Sequence, residues 1–284
     1  MSATGHHIAG AILLGAAVAA AGPAQAQLPL SIEELLVEQR TLKLQTSFTY
    51  SNSDTAGPAA AGAIAAVAPA WQQRQLQVST VTSRVRYGLR RDLEINASAT
   101  RAQMDWRGPG GAGGSDQHAL ALGANWLLSA DNRSPALLLT AAVDVLETGW
   151  LQPGVRHHGR TARLGAHVYR AIDPVVLSLA VSQEWRLSRD FADGTLEPGN
   201  LLSVRPQVNF AVNHRVTLTG GVSWQRSARD RFDGTTLAGS RHQTGLSMGL
   251  GLQASARSTV FVDSHVSTSG DSGASLSLEW VYRF

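Results

Sequence analysis

The sequence predicts an all-β protein: a twelve-stranded antiparallel transmembrane β-barrel with a short N-terminal plug or mouth-docked helix. Apolar and polar residues alternate with period two in many short segments, and the gaps between these segments are alternately short and long. Mean hydropathy is −0.07, and the body of the chain has no apolar run long enough for a membrane-spanning helix. A closed barrel is then the remaining way to cross lipid, because lipid tolerates neither sheet edges nor unpaired backbone groups.

The closing segment, residues 274–284, gives the clearest strand signal and reads A-S-L-S-L-E-W-V-Y-R-F. Large apolar or aromatic side chains stand at every second position: Leu276, Leu278, Trp280, Tyr282 and Phe284. The positions between them are small or charged, except Val281. This pattern resembles the last strand of bacterial outer-membrane barrels. The resemblance implies that these five residues are an assembly signal for the barrel-assembly machinery, and that outer-membrane lipid surrounds the barrel.

Composition excludes several other classes of protein. The 284 residues can form one large domain or two small ones, and with no cysteine they form no disulfide or thiolate metal site. The formal charge is +3, and the basic residues are scattered along the chain. Nucleic acid is therefore not expected as a partner.

Residues 1–26 are predicted to be a signal peptide. An apolar run over residues 8–21 precedes Ala24-Gln25-Ala26, the small-x-small pattern of a cleavage site. The segment before the apolar run carries His6 and His7 but neither Lys nor Arg. A later start codon, a buried helix or an N-terminal anchor therefore stays open.

Residues 27–40 are predicted to be a leader with a short helix over residues 32–38. Ser31 and Glu34 have capping-box spacing, and Ile32, Leu35 and Leu36 form an apolar stripe. So short a helix must dock on something, either as a plug at the barrel mouth or lumen or on a partner; a frayed leader is the alternative. The predicted plug residues are Ser31, Ile32, Glu33, Glu34, Leu35, Leu36 and Glu38. Its carboxylates would pair with luminal Arg84, Arg163 or Arg205.

Residues 41–284 are predicted to form the barrel. Short turns are expected at residues 90–92, 129–134, 173–174, 213–214 and 255–257, and the other connections are longer. The short turns would be periplasmic, and an even strand count places both termini in the periplasm. A lipocalin-like barrel or a sandwich also alternates, but it should place tryptophan at random along its strands. Here aromatic residues fall near predicted strand ends as two girdles: Trp185 and Trp224 at one, Tyr87, Trp126, Tyr282 and Phe284 at the other.

Two predicted strands are irregular. Leu76 and Val78 are out of phase with Val81 and Val85, which a bulge would reconcile. Pro206 lies inside a strand, where it removes a ladder donor and predicts a bulge or distortion.

The phase opposite to the apolar face gives the predicted pore lining. The pore-lining candidates on this phase are Lys43, Arg84, Arg86, Glu94, Asp144, Arg163, His167, Glu184, Arg205, Asp263, His265 and Glu279. Both signs occur, so these groups can form a salt-bridged interior. Alternatively they form a polar constriction that selects solutes.

The loops carry no signature of catalysis. His157 and His158 have no third ligand nearby in sequence and are interpreted as a solvated loop. The alanine-rich residues 59–70 are too short to span a bilayer, and the glycines of residues 108–114 lack a phosphate-site pattern. No nucleophile motif appears, so we expect no enzyme, no catalytic residue, no metal and no cofactor.

Several segments together resemble one superfamily of outer-membrane channels. They are the signal peptide, the leader S-I-E-E-L-L-V-E, the first strand L-K-L-Q-T-S-F-T-Y-S and the turn R-Y-G-L-R-R-D-L-E-I. The superfamily is named for the meta-pathway of phenol degradation and includes the secretion channels for functional amyloid.

The resemblance implies a twelve-stranded plugged channel for small aromatic or hydrophobic solutes, or for an unfolded polypeptide. The long coiled-coil region of the amyloid channels has no counterpart before Ser31 in the predicted mature chain, which disfavours polypeptide export. An autotransporter translocator would need a passenger, for which the chain has no room. A surface-binding or structural barrel is the third possibility.

Overall fold

The computed structural model describes residues 29–33, 35–53, 75–108, 111–149, 156–192, 194–270 and 272–284. Within them a four-residue helix, α1 (Leu30–Glu33), precedes seventeen strands. The strands are β1 (Leu42–Ser53), β2 (Gln75–Gly88), β3 (Leu93–Gly108), β4 (Gly111–Ser129), β5 (Ala136–Thr148), β6 (Arg156–His157), β7 (Thr161–Ile172), β8 (Val175–Arg186), β9 (Arg189–Phe191), β10 (Gly194–Glu197), β11 (Leu201–Asn213), β12 (Val216–Ser227), β13 (Asp230–Phe232), β14 (Thr235–Ala238), β15 (Arg241–Ser255), β16 (Ser258–Ser269) and β17 (Gly273–Arg283). The predicted signal peptide, residues 1–26, lies outside the described residues.

Twelve of these strands close into an antiparallel barrel in the order β1-β2-β3-β4-β5-β7-β8-β11-β12-β15-β16-β17. The closing pair is β1 with β17, from Lys43 opposite Arg283 to Ser53 opposite Gly273. Each of the twelve therefore has a partner on both sides, and the backbone groups of the wall are satisfied within the sheet. The predicted strand number and fold class are confirmed.

Short turns gather at one end of the barrel, which we call the turn end. They connect β2 to β3, β4 to β5, β7 to β8, β11 to β12 and β15 to β16, as predicted. Phe284 lies at this end, where its backbone N–H donates to Leu42 O. The longer connections leave the opposite end, the loop end.

The outer face is apolar along every strand of the barrel. Leu122, Leu164, Leu246 and Leu278 are each at least half exposed, and their exposed surface faces away from the barrel axis. At the turn end, Trp280 Nε1 donates to Ser258 Oγ at 2.7 Å, and the Tyr282 and Phe284 rings lie 5.1 Å apart. At the loop end the ring of Trp224 lies 5.9 Å from that of His242. The two aromatic belts expected from the sequence are present. Among the described residues, no helix has the length and apolarity needed to cross a membrane.

The predicted bulge near Leu76 and Val78 is wrong. Strand β2 pairs without a register shift from Leu76 opposite Trp106 to Gly88 opposite Glu94. The side chains of Leu76 and Val78 instead point inward at the loop end, where they pack with Ala102 and Met104. The apolar residues lie on the inner face here because the strand extends beyond the apolar outer band. Inside this extension β2 and β3 form a small apolar cluster.

Pro206 interrupts one ladder without shifting it. The β11–β12 pairing stops at Val204 opposite Trp224 and resumes at Gln207 opposite Gly221, with two residues skipped on each strand. The other ladder, β11 with β8, continues through Pro206. The expected distortion is present and a bulge at this position is not, because only the missing N–H donor is lost.

At the loop end, two hairpins form a second small sheet in the order β14-β13-β10-β9. Leu196 is 2% exposed and packs with Phe191, Phe232 and Leu237. Asp230 fastens the sheet to the barrel: its Oδ1 accepts from Gly199 N at 2.7 Å and its Oδ2 from Arg241 Nη2 at 2.8 Å. The long connections are thus partly folded structure.

Candidate functional site: the barrel interior

The pairing register places the predicted pore-lining residues on the inner face. Residues directly opposite one another in a sheet share a face, and successive residues alternate. Ser277 lies between the exposed Leu276 and Leu278, so its side chain faces inward. The cross-strand partners of Ser277, followed from one strand to the next, identify the inner face around the whole barrel. The inner face so defined includes Lys43, Arg84, Arg86, Glu94, Asp144, Arg163, His167, Glu184, Arg205, Asp263, His265 and Glu279.

A cavity of about 580 Å³ occupies the barrel interior, and all twelve barrel strands contribute to its wall. Ser31 and Leu35 of the leader also line it. The ionisable side chains on its surface are Arg84, Arg86, Arg163, His167, Arg205, Asp263 and Glu279. Glu94, Asp144 and Glu184 are buried behind these arginines.

One group of charges is tied into ion pairs, and we call it the paired cluster: Arg86, Glu94, Asp144, Arg163, Glu184 and Arg186. Glu94 is fully buried and accepts from Arg86 Nε and Nη2 at 2.9 and 2.8 Å. Asn125 Nδ2 donates to the same carboxylate at 2.8 Å. This bidentate pair joins β2, β3 and β4 on the inside of the wall.

The other half of the paired cluster is centred on Arg163. Its Nη1 and Nη2 donate to the two oxygens of Asp144 at 2.7 and 2.9 Å, and its Nε donates to Glu184 at 2.8 Å. Glu184 also accepts from Arg186 Nε at 2.5 Å. Two carboxylates thus balance two guanidinium groups across β5, β7 and β8.

A second group, the open cluster, consists of Arg205, Asp263, His265 and Glu279. Among the residues that the structure describes, these side chains form no hydrogen bond or ion pair. Arg205 and Asp263 are both exposed to the cavity. Arg84 on β2 likewise makes no hydrogen bond to a described residue, but Glu279 and Glu94 lie close enough to act on it electrostatically.

Glycines on β15 give the β16 side chains room against the wall. A Cβ on Gly251 would lie 2.8 Å from Cε1 of Phe261, and one on Gly249 or Gly245 would collide with the Asp263 carboxylate or the His265 ring. Phe261, Asp263 and His265 therefore lie over the inner face of β15. Glycine on the inner phase of this strand is the sequence signal for that arrangement, and alternation alone does not reveal it.

The leader crosses the bore near the turn end. On one side, Leu30 N donates to Thr217 Oγ1 and Ser31 Oγ to Asn209 Oδ1, both at 2.9 Å. On the far side, Arg86 Nη2 donates to Leu35 O at 3.1 Å and Val37 N donates to Glu94 Oε2 at 2.9 Å. Strands β11 and β12 are nearly opposite β2 and β3 in the closed strand order, so these bonds span the lumen.

Apolar contacts and one glycine fix the ends of this crossing. Leu30 packs against Phe261 and Val281 on the inner wall. Gly88 at the end of β2 has no side chain, and a Cβ there would lie 2.8 Å from Val37 O. The backbone of the leader can therefore pass directly over the end of the strand.

Two details of the predicted leader are wrong. The helix covers Leu30–Glu33 and does not run over residues 32–38, since Leu35 and Leu36 lie in a turn and a bend. Ser31 donates to Asn209 from within the helix, so it is not the cap. Tertiary hydrogen bonds to the lumen replace the local cap that the spacing suggested.

The predicted pairing of leader carboxylates with luminal arginines is not found for Glu38, and for Glu33 and Glu34 it stays a prediction. Glu38 is exposed and approaches Arg283 at 3.9 Å, and Arg163 is occupied by Asp144 and Glu184. The side chain of Glu33 and the whole of Glu34 lie outside the described residues.

At the loop end a buried ion pair was missed by sequence reasoning. Arg189 is fully buried and donates from Nε and Nη2 to Glu147 at 2.9 and 3.0 Å, while Thr161 Oγ1 donates to the same carboxylate at 2.7 Å. Glu147 has the sequence phase of the outward Val143. A register shift in the β4–β5 ladder turns it inward.

His157 is not the solvated loop residue that the sequence suggested. It is 6% exposed, and its ring packs edge-on against Phe191 at 5.2 Å. Burial, followed by the nearby charge of Arg189, lowers the pKa of His157 below its ordinary value. His158, by contrast, is exposed.

Solved structures of other proteins share this architecture. The COG4313 outer membrane channel from Pseudomonas putida F1 has a TM-score of 0.68 at 13% identity, covering 87% of this chain and 97% of that one. The translocator domain of the autotransporter NalP from Neisseria meningitidis has a TM-score of 0.57 at 11% identity, covering 86% and 88%. The transport unit of the autotransporter AIDA-I from Escherichia coli has 0.56 at 11%, covering 88% and 93%.

The chain has the fold of bacterial outer-membrane β-barrels. At these identities the likeness concerns the fold. No family model and no curated protein sequence matches the chain.

Proposed function

We propose that this protein is an outer-membrane channel that passes small solutes through a polar lumen narrowed by its N-terminal leader. The observation that carries the proposal is the cavity walled by all twelve strands, with the leader bonded to nearly opposite sides of it. A barrel that only presented its loops to a partner would not need an open, charged cavity inside. The small aromatic or hydrophobic solutes implied by the superfamily resemblance remain part of the proposal.

The orientation in the membrane follows from the two ends of the barrel. The leader and Phe284 both lie at the turn end, and short turns face the periplasm in outer-membrane barrels. We therefore assign the turn end to the periplasm and the small sheet of β9, β10, β13 and β14 to the cell surface. Removal of residues 1–26 as a signal peptide would leave the leader free to enter the lumen.

The channel proposal is tested by single-channel conductance in planar bilayers. Deleting residues 28–39 should raise the conductance of the folded barrel, because the segment that crosses the bore is gone. Glu38→Gln is the matched control: Glu38 is exposed at the edge of the leader, and conductance should stay as in the intact protein. Heat-modifiable gel mobility establishes that each variant is folded.

Equal conductance with and without the leader would show that the leader does not narrow the lumen and acts as a tether. No conductance from either folded protein would leave a structural barrel.

The closing strand is proposed to recruit the barrel-assembly machinery. Its outer residues Leu276, Leu278, Trp280, Tyr282 and Phe284 form the seam with β1 and part of the aromatic belt. Deleting residues 282–284 should leave the precursor in the periplasm. Normal insertion of this truncated chain in cells would refute the signal role.

A further inference from the structure

Arg205 differs from the arginines of the paired cluster. Arg86, Arg163 and Arg186 each donate to a carboxylate at 2.9 Å or less. Arg205 is exposed to the cavity from β11, and within the described ranges it donates to no acceptor. A guanidinium group always carries its charge and offers five N–H donors. Arg205 is therefore available to an anion that enters the cavity.

The wall beside Arg205 forms a recess. His167, Ala180 and Arg205 stand directly opposite one another across β7, β8 and β11, so all three face inward in one row. Adjacent strands lie about 4.8 Å apart, which sets His167 and Arg205 roughly 10 Å apart at their backbones. Only the methyl group of Ala180 lies between them. The neighbouring inward positions on β8 are Ser178 and Ser182, so the floor of the recess is small and polar.

His167 supplies a second polar atom on the other side of this recess. Its Nε2 is buried and has no hydrogen-bond partner among the described residues. A neutral imidazole carries one N–H donor, and which nitrogen holds it adapts to the neighbour. A carboxylate in the recess can accept from Arg205 on one side and, once the imidazole ring turns its buried Nε2 toward the cavity, from His167 on the other. Charge-assisted bonds of this kind are the strong ones.

The wall behind His167 is partly apolar. Leu138 is directly opposite His167 on β5 and is 2% exposed, and the Tyr169 ring lies 6.3 Å from the His167 ring. The nearest charges of the paired cluster, Arg163 and Glu184, are already engaged with each other. Among the described side chains around the recess, Arg205 is therefore the charge without a partner.

We propose that Arg205 and His167 form a binding site for the carboxylate of a small organic anion that permeates the channel. The site rests on the proposed function in that it names the solute class for the same lumen. Arg205 binds the carboxylate as a planar, bidentate partner, and His167 orients it from the opposite side. Glycine and alanine on the inner wall leave the centre open for the rest of the solute.

The primary test is calorimetric titration of the detergent-folded protein with benzoate, using neutral benzamide as the comparison probe. Benzoate should bind and benzamide should not. Arg205→Gln should raise the dissociation constant for benzoate about tenfold or more, the usual scale for losing one charge-assisted bond. His167→Ala should raise it by a smaller factor, about threefold.

Arg84→Gln is the matched control, since it removes one luminal guanidinium that lies within the influence of Glu279 and Glu94. Its dissociation constant for benzoate should stay within about twofold of the intact protein. Equal losses for Arg84→Gln and Arg205→Gln would overturn the site, because they would show only a general positive field. Equal binding of benzoate and benzamide would overturn it as well.

Conductance of the same samples separates this inference from the channel proposal. Benzoate should block chloride current in the intact protein and lose its effect in Arg205→Gln. Benzoate binding that depends on Arg205 in a protein without conductance would keep the site and refute the channel. Conductance without benzoate binding would keep the channel and refute the site.

Discussion

The paired cluster and the open cluster lie on one inner wall, but the charges of the first form ion pairs and those of the second do not pair with described side chains. In the paired cluster Glu94 is fully buried, and Arg163 is held by two carboxylates at 2.7 to 2.9 Å. In the open cluster Arg205 and Asp263 face the cavity without a partner among the described side chains. Buried paired charges fix neighbouring strands, whereas unpaired charges in contact with solvent remain available to solutes. The same residue types therefore serve structure on one part of the wall and, in our proposal, recognition on the other.

The largest effect should come from breaking the paired cluster. Glu184→Gln removes the negative charge that Arg163 and Arg186 share, and Arg186 is 1% exposed in its side chain. We expect a loss of roughly 3 to 5 kcal/mol in the free energy of unfolding, the usual cost of removing one partner of a buried ion pair. Urea titration of the barrel in lipid vesicles, followed by tryptophan fluorescence, measures it.

Asp263→Asn in the open cluster is the matched control and should change that free energy by less than about 1 kcal/mol. Similar losses for the two variants would show that the two clusters do not differ in kind.

The second prediction compares a substitution on the outer face of β17 with one on its inner face. Leu278→Arg puts a charge on the lipid-facing side and should cost roughly 2 to 4 kcal/mol near the membrane midplane. Glu279→Gln, one residue along the same strand, should leave folding almost unchanged and alter conduction. Folding yield in lipid vesicles is the measurement. Equal yields would reverse the assignment of the two faces.

A smaller effect concerns the two anchors of the leader. At β3 the backbone of Val37 is held by the charged carboxylate of Glu94, whereas at β11 Ser31 is held by the neutral side chain of Asn209. Hydrogen bonds to charged groups contribute about 1.5 to 3 kcal/mol and neutral ones about 0.5 to 1.5 kcal/mol. Glu94→Ala should therefore free the leader more than Asn209→Ala does.

The chain has no cysteine, so Leu36→Cys supplies a single reporter of this release. Its rate of modification by a water-soluble thiol reagent should rise about tenfold in Glu94→Ala and about threefold in Asn209→Ala. A faster rate in the Asn209 variant would mean that the leader is anchored mainly at β11 and β12.

Alternation along the chain was sufficient to predict the outer face, because the two sides of a strand meet different solvents. Leu276, Leu278 and Trp280 are exposed to the outside as their spacing indicates, and the five short turns connect the predicted strands. Period two is a local property, so it can be read from neighbouring residues alone. Alternation gave the wrong face at Leu76 and Val78, where β2 extends beyond the apolar outer band. It also gave the wrong face at Glu147, where the β4–β5 register shifts.

The sequence by itself determined which side chains face inward along most of the wall, how many strands close the barrel and where its short turns lie. The tertiary structure decided which inward charges meet: Arg163 pairs with Asp144 and Glu184, whereas Arg205 stands beside Ala180. It also decided that the leader ends its helix at Glu33 and crosses to Glu94. These contacts depend on the relative register of strands far apart in sequence and on the closure of the barrel, and no local pattern encodes either.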